Sequence, residues 1–189
     1  KYNTIIFDLD GTLLDTLEDL ADSMNAVLES QGMPVHALEK YRYFVGDGVR
    51  ELARRVLPPE KRDDATVAAS VELMSIEYGK RWKSKTRPYP GIEETLDELV
   101  AAGVRMAVLS NKPDPFTKMM IPALLPNWKF QIVLGARPDV PVKPNPQAAL
   151  EIAAMLDLLP AQILYVGDTA TDMLTANAAG MHAVGVAWG

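Results

Sequence analysis

Two carboxylates, Asp8 and Asp10, stand one residue apart where an apolar run breaks into a turn, in the stretch TIIFDLDGTLLDT from Thr4 to Thr16. Ile5, Ile6 and Phe7 suit a short buried strand, and side chains two apart on a strand share a face. A strand continued through Leu9 aims both carboxylates into one small volume, while Gly11 and Thr12 turn the chain just beyond them. Like charges that close repel unless a proton or a cation offsets them. The pair points to metal-assisted chemistry. A plainer reading has both acids in a solvated turn, capping a helix.

Further polar groups follow other apolar runs. VRMAVL leads into Ser110-Asn111-Lys112, FQIVLG precedes Lys143-Pro144-Asn145-Pro146, and QILYVGD ends in Gly167-Asp168-Thr169, with Asp172 one turn further on. Taken singly, Ser110 and Asn111 read as capping residues, Lys143 as a solvated surface lysine, and Asp168 and Asp172 as acids favouring a helix start. Their order says more, because successive strand ends carry carboxylate, hydroxyl, ammonium and carboxylate. Asp8, Asp10, Asp168 and Asp172 then bring four negative charges into one crevice. Mg2+ takes hard oxygen ligands in octahedral geometry. One Mg2+ with the Lys143 ammonium offsets three of those charges and leaves a pocket for a phosphoryl group. Backbone N–H groups in the turn at Gly11 and Thr12, and at helix starts, suit phosphoryl oxygens.

Positioning these groups falls to two kinds of sequence. From Asp15 to about Arg81 apolar residues recur at helical spacing, as in Leu17, Leu20, Met24, Val27 and Leu28, and no strand is evident. KSKTRPYPG, from Lys83 to Gly91, reads as a proline-rich return linker. Thereafter helical and strand patterns alternate, which implies parallel strands joined by right-handed helical crossovers. The expected fold is α/β, a Rossmann-like open parallel sheet with an inserted small α-helical cap, 1–14 and 86–189 forming the core and 15–85 the cap. Ligands of such sheets bind at the carboxyl ends of the strands.

Composition narrows the function. The 189 residues suit one domain with a sizeable insertion, and 48% hydrophobic content is that of a globular protein with no membrane-spanning run. A net charge of −6 gives no footprint for nucleic acid. No cysteine is present, which excludes disulfides, thiolate zinc sites and cysteine nucleophiles. Lys1 in place of Met points to a trimmed terminus. With no signal peptide ahead of the first strand, the expected compartment is the cytosol.

DLDGTLLDT, LSNK, KPNP and GDTATDM together resemble the motifs of the haloacid dehalogenase-like hydrolase superfamily, more closely its phosphoglycolate phosphatase-like branch. The resemblance covers nearly the whole chain. It implies Asp8 as nucleophile forming an aspartyl-phosphate, Asp10 as acid and then base, and Ser110 and Lys143 on the transferring group. It further implies Mg2+ held by Asp8, the main-chain carbonyl of Asp10 and Asp168, with Asp172 orienting waters or Lys143. Gly11, Thr12 and Asn111 would meet the phosphate. The stretch VGDGVRELARRVL resembles a cap loop in which Gly46, Asp47, Gly48 and Arg50 would meet substrate, Arg50 facing a carboxylate; the alternative leaves Arg50 solvated beside Glu51. The implied partner is a small phosphorylated metabolite, 2-phosphoglycolate above all. Pyrophosphatases, sugar-phosphate phosphatases and phosphomutases of the same fold share the motifs, and a phospho-aspartate switch is the reading from another class.

Overall fold

The first strand, β1 (Thr4–Phe7), is buried at every position, as an apolar run covered on both faces requires. The computed structural model describes residues 2–189. After β1 come β2 (Leu14–Asp15), α1 (Leu17–Ser30), α2 (Leu38–Phe44), α3 (Val49–Val56), a 3-10 turn (Pro59–Lys61) and α4 (Asp64–Arg81). The chain continues through β3 (Arg87–Pro88), α5 (Ile92–Ala101), β4 (Arg105–Pro113), α6 (Asp114–Leu124), β5 (Ile132–Ala136) and α7 (Gln147–Met155). A second 3-10 turn (Pro160–Gln162), β6 (Ile163–Gly167), α8 (Ala170–Ala179) and β7 (His182–Gly185) complete it. Among the described residues no helix is long and apolar enough to cross a membrane.

The five-stranded sheet runs in the order β5-β4-β1-β6-β7, every neighbouring pair parallel. Ile6 lies opposite Ala107 on one side and Tyr165 on the other. Strand order reverses at β1, so the crevice of this sheet opens beyond Phe7. One face carries a buried cluster in which Ile6, Leu109 and Tyr165 meet Ala149 and Ile152 of α7 and Ala176 of α8. The small residues on both helices bring their backbones close to the strands.

β4 runs through Ser110-Asn111-Lys112 to Pro113, and its register against β5 shifts between Leu109 and Pro113. The irregular part is Ser110-Asn111-Lys112, whose polar groups take partners of their own. The last strand ends at Gly185. Trp188 donates its indole N–H to the carbonyl of Thr12 at 3.1 Å.

Two compact units result, one of the residues up to Asp15 with Pro88–Gly189, the other of Thr16–Arg87. In the second, α1 packs on α4, and Met24, Val27 and Leu28 of α1 and Val67, Met74 and Tyr78 of α4 are buried, the stripe that helical spacing produces. The division falls slightly later than the expected 14/15 and 85/86 boundaries. Asp19, 1% exposed, explains the shift on the return side. Its carboxylate accepts from the backbone N–H groups of Lys85 and Thr86 and from the Thr86 hydroxyl, at 2.8–3.1 Å, tying the linker to α1.

Candidate active site

Asp8 directly follows β1 and is 6% exposed. Its Oδ1 accepts the N–H of Leu9 at 2.7 Å and faces Lys143 Nζ at 2.9 Å. Oδ2 has no hydrogen-bond partner among the described residues, so one oxygen is held and the other is left for chemistry. The turn that follows is tight because the carbonyl of Leu9 accepts from the N–H groups of Thr12, Leu13 and Leu14 at 3.0–3.3 Å. Gly11 has φ +84°, and a Cβ there would overlap the Asp168 carboxylate. Both facts require glycine. Thr12 donates its hydroxyl to Asp168 Oδ1 at 2.9 Å. The Thr12 side chain thus orients an acid.

Lys143 is 3% exposed and offers its three N–H donors to Asp8, to Asp172 Oδ1 at 2.6 Å and to the carbonyl of Leu109 at 3.2 Å. Asn111 fixes it from behind. The Asn111 amide donates to the Lys143 carbonyl at 3.1 Å and accepts from the Lys143 N–H at 2.8 Å, so the side chain expected at the phosphate grips the backbone of Lys143. Asp172, wholly buried, divides its oxygens. Oδ1 meets Lys143, while Oδ2 accepts from the N–H and hydroxyl of Thr169, which starts α8 in a reciprocal cap. Asp172 thus both caps α8 and contacts Lys143. Ser110 is buried, and its Oγ accepts the N–H of Lys112 at 3.2 Å.

Asp8, Asp168 and Asp172 each offer a carboxylate oxygen within 4.8 Å of the others. Hard oxygen donors of this kind suit Mg2+ or a similar cation. With all three carboxylates ionised, the one Lys143 ammonium leaves two negative charges, which a divalent ion would neutralise. Since both Asp172 oxygens are engaged, Asp8 and Asp168 are the side chains fit to hold it.

Burial pushes the Asp8 carboxyl up to about 8, against the lowering pull of Lys143; Asp172 and Asp168 push the same way. Asp168 is raised by burial too, opposed by the Thr12 hydroxyl. At Lys143 burial works against the charge, but Asp8, Tyr165 and Asp172 outweigh it and hold the ammonium well above the usual lysine range. An unfolded aspartate titrates near ~3.9. Between there and about 8 the folded protein binds more protons at Asp8 than the unfolded chain does, so stability falls as pH rises through that window. In chelator, thermal melts of Asp8→Asn are expected to gain several degrees on wild type as pH rises from about 5 to about 8. A wild-type deficit independent of pH would contradict this.

Sequence reasoning passed over Lys112. Its side chain is 3% exposed, and Nζ lies 2.9 and 3.0 Å from the two oxygens of Asp10. Nothing local signals the pair, which joins positions 102 residues apart.

The cap-loop residues are held within the helical unit. Arg50 is exposed and pairs with Asp64 at 2.7 Å, not with Glu51, whose partner is Arg54. Asp47 is bound by Arg55, which also donates to the carbonyl of Phe44. Gly46 and Gly48 have φ +117° and +88° on either side of it.

Residues 5–186 match the model of the haloacid dehalogenase-like hydrolase family. Over 98% of its length the chain is 35% identical to phosphoglycolate phosphatase of Pseudomonas putida, covering 69% of that protein. It is 31% identical over its whole length to phosphoglycolate phosphatase of Haemophilus influenzae, covering 87%. The crystal structure of a predicted phosphoglycolate phosphatase from Haemophilus somnus superposes with a TM-score of 0.91 at 30% identity, covering all of this chain and 86% of that one.

Proposed function

The chain belongs to the haloacid dehalogenase-like hydrolases, and from that premise we propose that it is a Mg2+-dependent phosphatase that hydrolyses a small phosphate monoester, foremost 2-phosphoglycolate, through an aspartyl-phosphate on Asp8. The observation that carries this reading is the division of labour on Asp8, with Oδ1 held by the Leu9 N–H and Lys143 while Oδ2 carries no hydrogen bond among the described residues. A carboxylate so fixed presents one oxygen for in-line attack on phosphorus.

In the first step Asp8 Oδ2 forms a bond to phosphorus as the ester P–O bond breaks, and Asp10 gives its proton to the departing alkoxide. In the second, Asp10 takes a proton from water as that water attacks phosphorus and the Asp8–phosphorus bond breaks. Lys143, its donors committed to Asp8, Asp172 and the Leu109 carbonyl, serves by orienting Asp8 and favouring its ionised form against burial. The Ser110 Oγ accepts from the Lys112 N–H, which turns its own proton outward for a phosphoryl oxygen. Asp8, Asp168 and the main-chain carbonyl of Asp10 would hold Mg2+, which when bound neutralises charge on the phosphoryl oxygens.

Substrate choice is assigned to the helical unit as a cap, with Gly46, Asp47, Gly48 and Arg50 as its recognition loop. The Arg50–Asp64 pair is solvent-exposed and worth at most about 1 kcal/mol, so Arg50 is cheaply released to a substrate carboxylate. The phosphoglycolate phosphatases that the chain resembles support the same substrate.

Phosphate release from 2-phosphoglycolate, pyrophosphate and several sugar phosphates, with Mg2+ and with chelator, tests the proposal. Release is expected to require the metal and to be fastest with 2-phosphoglycolate. Undiminished release in chelator contradicts the mechanism, whereas faster release from a sugar phosphate keeps the phosphatase and replaces its substrate.

A further inference from the structure

An almost wholly buried lysine is rare and is retained where its charge is matched. Lys112 sits at the irregular end of β4, its Nζ equidistant, at 2.9 and 3.0 Å, from both oxygens of Asp10. Its backbone is fixed on two sides. The N–H donates to Ser110 Oγ at 3.2 Å, and the carbonyl accepts the Thr117 hydroxyl at 3.2 Å. That carbonyl also lies where a Cβ on Gly135 would come within 2.6 Å of it, so the neighbouring strand leaves it little room to move.

The geometry points to Lys112 as a positioning residue for Asp10, a role that rests on the acid/base reading of Asp10 given above. With Asp10 protonated, one oxygen stays on the Lys112 ammonium and the other carries the proton towards the leaving alkoxide. Once that proton has gone, the same ammonium holds the carboxylate ready to take one from water. Ser110-Asn111-Lys112 thereby becomes one device, with Ser110 set for the phosphoryl group, Asn111 gripping Lys143 and Lys112 aiming Asp10.

A residue that acts through the acid matters most when the leaving group needs protonation. The experiment compares phenyl phosphate with 4-nitrophenyl phosphate, whose anion departs without help, in wild type, Lys112→Met, Asp10→Asn and the double variant. Lys112→Met is expected to lose at least about tenfold more kcat on phenyl phosphate than on 4-nitrophenyl phosphate. In the Asp10→Asn background the same change is expected to cost less than about twofold. Lys112→Arg, which keeps the charge, is expected to recover most of the loss. Should Lys112→Met not fold by circular dichroism, Lys112→Gln carries the same comparison. Equal losses on both esters, a full additional loss in the Asp10→Asn background, or no recovery by a folded Lys112→Arg would each overturn the assignment. An Asp10→Asn enzyme with undiminished turnover overturns the acid/base reading and this role with it. An impaired Asp10→Asn enzyme without the leaving-group bias in Lys112→Met overturns this role alone.

Discussion

Asp8→Asn is expected to lower turnover of every phosphate monoester by at least about a thousandfold while leaving the fold intact. Asparagine matches the shape of the side chain and keeps an acceptor for the Leu9 N–H and for Lys143, which hold the native Oδ1 at 2.7 and 2.9 Å. What it lacks is the second anionic oxygen that would bond to phosphorus. Neighbouring groups only assist that step, so no other single change removes as much. Two measurements check this, namely steady-state phosphate release and acid-stable labelling of the protein by phosphorylated substrate. Labelling is expected to vanish together with turnover. Equal turnover by the variant and the wild type removes Asp8 from the nucleophile's place, and persistent labelling without turnover in the wild type favours a phospho-switch.

Lys143→Met is expected to be the most destabilising change in the site, costing about 3–5 kcal/mol in urea denaturation at neutral pH. The ammonium lies between two buried carboxylates, at 2.9 Å from Asp8 and 2.6 Å from Asp172. Removing it leaves both acids facing each other across a space that water barely enters. Lys143→Arg is a poor substitute, because a planar guanidinium does not fit where a tetrahedral ammonium reaches three acceptors. Mg2+ should restore part of the stability and little of the turnover. A midpoint unchanged from wild type would show that Lys143 contributes no net stability to the site.

Strand ends were legible in the sequence because each apolar run stops at a residue that does not belong in a core. Asp8 and Asp168 directly follow β1 and β6, as their spacing predicts, whereas Ser110 falls inside β4, which runs on to Pro113. What these residues touch was less legible. Thr12 and Asn111 were expected at the phosphate through the family resemblance, and their side-chain partners could not be read from the sequence. Their partners, Asp168 and the Lys143 backbone, lie 156 and 32 positions away. Lys112 was hidden for the same reason. Among polar neighbours a lysine reads as solvated, and only the folded sheet brings Asp10 to it. The helical unit was legible in outline through the periodicity of α1 and α4, whereas its ion pairs were not. Exposed arginines on α3 had several acids in reach, and Arg50 took Asp64 where Glu51 stood nearer in sequence.

The central place of β1 in the sheet also bears on how the chain is made. β1 leaves the ribosome with both of its neighbours, β4 and β6, still to come, and the second begins only at Ile163. Residues 16–87 are contiguous and helical, so that unit has its local contacts available early. Throughout that interval TIIF remains an unpaired apolar strand, the kind of segment that associates with other chains. Asp8 is thus synthesised long before Asp168 and Asp172, the acids beside it. Products that stop short of Gly167 should carry a folded helical unit, aggregate through β1 and have no activity.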